Sequence, residues 1–182
     1  MQLKIVLGDV LSSNSSAVAI PMDGTVTPRE GQAERVLGNI GRQFIRRFPE
    51  AELLEEIEAQ VEFPLPLGKA TVVALTQGPF QYVVLVSTLH HVDQLDHRAK
   101  RALVRSSFLA ALESTAQAGA QTLATAVLQG GWRLQPADAF GEMLSVVAER
   151  STPNIHVYVL DPELHQRLRM LARSIGFRTD AV

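Results

Sequence analysis

Three stretches of the chain gather residue types that can do chemistry. The densest is His90-His91-Val92-Asp93-Gln94-Leu95-Asp96-His97, which holds three of the five histidines and two carboxylates. Neutral imidazoles with carboxylates suit zinc or another divalent ion, so a metal-assisted hydrolase using His90, His91 and Asp93 is one reading. The spacing matches no specific metal motif, however, and Asp96 reads more simply as a helix N-cap with His97 in the first turn facing solvent. No bound metal or cofactor is therefore expected. The second stretch, Gln129-Gly130-Gly131-Trp132-Arg133, follows an apolar run of strand length. Two glycines let backbone amides converge on an anion, the single Trp can stack on a ring, and an Arg can pair with phosphate in a fork geometry that Lys lacks. The plainer reading is a tight turn beside a core Trp and a solvated cation. The third is Gly8-Asp9-Val10, a carboxylate just past another apolar run, which either meets a ligand or bonds to nearby turn amides.

Nucleophilic catalysis finds little to work with. The chain has no Cys, which removes thiol nucleophiles, disulfides and thiolate metal sites. Ser12, Ser13, Ser15 and Ser16 read as a flexible surface turn, and no Ser sits in a Gly-x-Ser-x-Gly elbow. No catalytic residue is assigned.

The elements that position these stretches follow from pattern. A chain of 182 residues is enough for one compact domain, 1–182, whose core needs no disulfide or metal, since folding at this size hides roughly 70% of the unfolded chain's surface. Strand-length apolar runs lie at Leu3 to Leu7, Tyr82 to Thr88, Thr122 to Leu128 and Ile155 to Leu160, with weaker ones at Ala17 to Ile20 and Ala70 to Leu75. The run Tyr82 to Thr88 does not alternate with polar residues, which predicts a strand covered on both faces. Helices are expected from Asp96 to Ala118, after Pro136, from Pro162 to Ile175 behind an Asp161 cap, and through the acidic segment from Pro49 to Gln60. Thr27-Pro28-Arg29-Glu30 reads as a capping box opening a helix to Arg47. Gly31, Gly38 and Gly41 inside it require either that the helix starts after Gly31 or that backbone approaches something closely. The order of elements predicts a three-layer α/β/α sandwich on a mixed, mostly parallel sheet.

Charge and hydropathy narrow the partners. With 17 basic against 19 acidic residues there is no general basic field to grip DNA. No apolar run reaches the roughly 18 residues of a membrane span, and the amino-terminal residues lack the pattern of a targeting signal. A soluble, cytoplasmic protein is expected, with homo-oligomerisation left open. Arg42, Arg46 and Arg47, followed closely by Glu50, Glu52, Glu55, Glu56 and Glu58, read as solvated helix faces.

Taken in order, these pieces resemble the macro domain, a module that binds ADP-ribose and related nucleotides. Ile5-Val6-Leu7-Gly8-Asp9-Val10 is similar to the family's opening strand and Gly-Asp-Ile turn. Ala17-Val18-Ala19-Ile20-Pro21-Met22-Asp23-Gly24 stands where the family has a buried strand ending in Asn-Ala-Ala-Asn. Gly31 to Gly41 has the spacing of its glycine loop and following helix, and Gly68-Lys69-Ala70 followed by Tyr82-Val83-Val84 is similar to its next two strands. Thr122 to Arg133 resembles its later strand and second phosphate loop. The resemblance implies a cleft at the carboxyl edge of the sheet. It implies a nucleotide such as ADP-ribose as the small-molecule partner, with the base near Asp9 and Val10 and the ribose near Asp23 and Gly24. The phosphates would meet amides near Gly31, Gln129, Gly130 and Gly131, with Trp132 and Arg133 at the rim. The family's ribose-orienting Asn falls on Gly24, so binding without ester hydrolysis is expected, and restoring Asn there is expected to return a ribose contact. A macro-like fold used only as an interaction scaffold is the alternative.

Overall fold

The computed structural model describes residues 2–29, 31, 33–89, 95–129, 134–149 and 153–177. Among these residues there are six strands: β1 (Leu3–Leu7), β2 (Ala17–Asp23), β3 (Ala70–Ala74), β4 (Tyr82–Leu89), β5 (Thr122–Ala126) and β6 (Asn154–Val159). They form one sheet in the order β1-β6-β5-β2-β4-β3. Every neighbouring pair is parallel except β3 and β4, which are antiparallel. The four principal apolar runs thus share a sheet, and the expected strand through Thr122 to Leu128 stops at Ala126, where the chain turns and Gln129 N–H donates to Val127 O at 2.8 Å. Residues Val83 to Val86 of β4 are fully buried, as an interior strand flanked on both edges and both faces must be.

Helices cover both faces. On one face α4 (His97–Gln117), α5 (Pro136–Ala148) and α6 (Pro162–Ser174) pack Phe108, Phe140, Met143 and Leu168 against Ile5, Val84, Val86 and Val157. Their ends follow the sequence signals. The Asp96 carboxylate accepts from Ala99 N–H at 2.7 Å, Asp161 accepts from Glu163 N–H at 2.8 Å, and Gly119 (φ 76°) and Gly176 (φ 90°) take the left-handed stops. Ion pairs join the outer surfaces of α4 and α5: Arg101 to Glu142 at 2.7 Å and Arg105 to Glu149 at 2.6 Å.

The opposite face carries shorter pieces: a 3-10 turn (Val10–Ser12), α1 (Ala33–Val36), α2 (Asn39–Arg47), a second 3-10 turn (Pro49–Ala51) and α3 (Leu53–Gln60). These bury Phe44, Leu53 and Ile57 over Val18, Ile20, Val83 and Leu85. The continuous helix read from Thr27 to Arg47 is not formed. Among the described residues the first helical one is Ala33, Leu37 leaves the helix to bridge Met22 of β2, and Gly38 restarts it as the N-cap of α2. The reason is proximity to β2. Gly38 N–H donates to Pro21 O at 3.0 Å, and a Cβ on Gly38 would lie 2.8 Å from the same oxygen. Likewise the segment from Pro49 to Gln60 splits at Glu52, whose left-handed backbone (φ 45°) separates the 3-10 turn from α3.

Side chains occupy part of each outer edge of the sheet. Gln60 spans Ala74 of β3, its Nε2 donating to the carbonyl and its Oε1 accepting the amide, both at 2.9 Å. His165 Nε2 donates to Ile5 O on β1 at 3.0 Å. No helix among the described residues is long and apolar enough to cross a membrane.

Candidate ligand crevice at the carboxyl edge

Because β1, β6, β5, β2 and β4 run parallel, their carboxyl ends share one edge of the sheet. From β2 the chain leaves toward α1 and α2 on one face, and from β5 it leaves toward α5 on the other. Connections that part in opposite directions open a crevice between the two strand ends, the usual place for a ligand in an open α/β sheet. Gly24 directly follows β2 and Gln129 lies three residues past the end of β5 at this edge, while Gly31 comes two residues before α1. Asp9 and Val10 follow β1, with β6 between β1 and β5. Gly130, Gly131, Trp132 and Arg133 lie outside the described residues, as do His90, His91 and Asp93. Asp96 and His97 are described: Asp96 is the α4 cap, and His97 lies in the first turn, largely exposed, 3.4 Å from Asp138. Among the described residues no group of three or more His, Cys, Asp or Glu is placed to hold a metal ion.

The Asp9 carboxylate is engaged with protein on both oxygens. Oδ1 accepts from Leu11 N–H at 3.0 Å, capping the 3-10 turn, and Oδ2 pairs with Arg47 Nη1. Arg47 Nη2 also donates to Ser12 Oγ at 2.9 Å, so one guanidinium from the end of α2 clamps this turn. Arg47 therefore does more than solvate a helix face. Val10 is 6% exposed and belongs to the core, leaving only its backbone for a ligand.

The turn after β2 is closed from behind. A Cβ on Gly24 would meet Leu65 O at 2.1 Å and Ser87 Oγ at 2.4 Å, and Leu65 N–H donates to Gly24 O at 2.7 Å. An Asn side chain does not fit here, which overturns the expectation that Asn at this position would restore a ribose contact. Asp23 is 2% exposed, and its Oδ1 accepts from Thr25 N–H at 3.0 Å and Thr25 Oγ1 at 2.7 Å. Gly31 has φ 77° with nothing within 4 Å of an added Cβ. It is glycine for its backbone conformation, whereas Gly38 and Gly41 are glycines for close approach. Beyond this turn lie two cavities that share Arg29. One of about 350 Å3 is lined by Thr25, Val26, Thr27, Phe63 and Pro64, and another of about 560 Å3 reaches Ile45, Phe48, Leu54 and Glu58.

The serines after Asp9 are not a flexible surface turn. Ser13 and Ser15 are 8% and 2% exposed and tie this segment to β6. Tyr158 Oη donates to Ser13 Oγ at 2.9 Å, Ser13 Oγ donates to Ser15 Oγ at 2.9 Å, and Ser15 Oγ lies 3.1 Å from His156 Nδ1. Burial lowers the pKa of His156, and Lys4 beside it on β1 lowers it further. In the sequence the signal for this cluster was the alternation of His156 and Tyr158 with the apolar residues of β6, which puts both on one face.

No protein-family model matches the chain, and no curated protein does. Solved structures do. The ganglioside induced differentiation associated protein 2 macro domain superposes with TM-score 0.71 at 14% identity, over 99% of this chain and 86% of that one. The Oceanobacillus iheyensis macrodomain with ADP gives 0.66 at 14%, over 95% and 90%. An alphavirus P23pro-zbd structure gives 0.69 at 12%, and there the chain spans all of its own length but 25% of the viral protein. The chain has a macrodomain-like α/β fold, far diverged in sequence.

Proposed function

We propose that the chain binds a nucleoside diphosphate of the ADP-ribose class in the crevice between the carboxyl ends of β2 and β5, without hydrolysing it. The observation that carries this reading is the parting of the two connections there, one toward each face of the sheet. Similarity to a macrodomain solved with ADP supports the ligand class. The phosphates would take the amides of the segments around Gly31 and Gln129 to Gly131, with Trp132 and Arg133 at the rim and Asp9 toward the base. Binding without hydrolysis fits a site in which Asp23 is folded into its own turn and Gly24 brings no side chain. Calorimetric titration with ADP-ribose, ADP, AMP and a nicotinamide dinucleotide tests it. A dissociation constant tighter than about 100 μM, or roughly −5.5 kcal/mol, is expected for a diphosphate. Amide shifts should concentrate at residues 24–31 and 127–129. Absence of heat and of thermal shift with every nucleotide at millimolar concentration would leave the second reading, an interaction scaffold. That reading draws on the closed space behind Gly24 and on an Asp9 carboxylate already held by Arg47.

A further inference from the structure

The segment from Asp9 to Ser16 crosses from the end of β1 to the start of β2, and it is held over β6 by side chains whose hydrogens can be counted. Four contacts make the tie: Tyr158 Oη to Ser13 Oγ, Ser13 Oγ to Ser15 Oγ, Ser15 N–H to Ser13 Oγ at 3.1 Å, and Ser15 Oγ to His156 Nδ1. With neutral imidazole these groups supply four hydrogens for the four contacts. Ser13 Oγ accepts twice and donates once, and Ser15 Oγ accepts from Ser13 and gives its own hydrogen to Nδ1. We propose that these four residues form a proton-operated latch, closed when His156 is neutral and released when it is protonated.

Protonation adds a fifth hydrogen to the same four contacts. Either the Ser15 hydroxyl hydrogen is left unpaired in a site that is 2% exposed, or every hydroxyl bond reverses, Ser13 donates to Tyr158 Oη and the phenol hydrogen loses its acceptor. In each outcome one hydrogen that the closed arrangement pairs is left over, and the segment is held less tightly. The surroundings set the same direction. Lys4 on β1 is the cross-strand neighbour of His156 and repels the imidazolium, while β5 opposes it with Ala124 and the crossing segment meets the ring through Ser15. The nearest opposite charge on that segment, Asp9, is already paired with Arg47. No carboxylate on these elements is free to stabilise the charged ring. The latch is a property of the protein alone and stands or falls independently of any ligand in the crevice.

Amide hydrogen exchange on the unliganded protein, followed from pH 8 to 5 and corrected for intrinsic rates, reads the latch directly at the Ser12, Ser13 and Ser15 amides. Each of these N–H groups is hydrogen-bonded within the segment. Exchange there is expected to speed up about ten-fold as His156 titrates, with β4 amides unchanged. His156→Asn keeps an acceptor near the Nδ1 position and cannot titrate, so it should hold the segment closed at every pH. Ser15→Ala should let the imidazole titration midpoint, followed by NMR, rise toward that of an ordinary histidine. Tyr158→Phe removes the route by which the bonds reverse and should push the midpoint lower still. Exchange that ignores pH, or that keeps its pH dependence in His156→Asn, overturns the proposal, as does a midpoint that does not respond to Ser15→Ala.

Discussion

Gly41 and Gly141 lie in helices on opposite faces of the same sheet, and their surroundings are opposite too. A Cβ on Gly41 would lie 2.8 Å from Ile20 Cγ2 and 2.9 Å from Leu37 Cβ, whereas one on Gly141 would meet nothing within 4 Å. The face of α1 to α3 is built by backbone drawn tightly onto β2, with short helices and the rings of Phe44, Phe48 and Phe80 filling the corner. The face of α4 to α6 is built by longer helices at ordinary side-chain distance. Tight approach leaves little tolerance, and the carboxyl ends of β2 and β5 sit where the tolerant face and the intolerant one meet.

Substitutions at the intolerant face should do the most damage. Gly24→Asn is expected to cost about 3 kcal/mol, because the new Cβ strikes a backbone carbonyl that cannot swing away, and it should not improve ADP-ribose binding. Urea unfolding and the calorimetric titration check both halves. Gly41→Val should cost about 2 kcal/mol with an unchanged denaturant slope, and a loss below about 0.5 kcal/mol would mean that α2 can back away from β2 freely. On the tolerant face the sign reverses: Gly141→Ala should stabilise by about 0.5–1 kcal/mol, since alanine fits the helix and restricts the unfolded chain.

Acidification should act on the intolerant face through His156. His156 binds protons less readily in the folded protein than in the unfolded one, so the unfolded state takes up more protons. The stability tied to it is complete above the ordinary histidine range and is lost as pH falls through the lowered folded value. Thermal unfolding of wild type against His156→Asn should show this difference narrowing toward neutral pH. The smallest effect belongs to the exposed ion pairs of α4 and α5. Arg105→Ala should cost no more than about 0.5 kcal/mol, and added salt should shrink even that.

The same division explains what the sequence made legible. The helices of the tolerant face announce themselves through Asp96, Asp161, Pro162 and the glycine stops, because caps and periodicity are local. Tyr82 to Thr88 could be placed inside the sheet because a strand buried on both faces cannot alternate. The break at Leu37 and Gly38 could not be read, since it is imposed by Pro21 and Met22 on a strand more than a dozen residues earlier. Nor could the fate of Asp9: a cap for the next turn is local, but the Arg47 that completes it arrives from the end of α2. The space behind Gly24 is filled by Leu65 and Ser87, two residues with no sequence pattern linking them to that turn. The four serines looked like a loop because Ser is common in loops; the histidine and tyrosine that bury two of them lie some 140 positions away.

The Gln60 carboxamide on Ala74 and the His165 ring on Ile5 have a consequence for how this molecule meets other chains. A sheet rim normally invites any extended peptide, including a stray copy or a partly unfolded neighbour, to add itself as one more strand. Here a newcomer at either rim must first evict a side chain that already satisfies the backbone it wants. Strand addition is thereby discouraged at Ile5 on one rim and at Ala74 on the other.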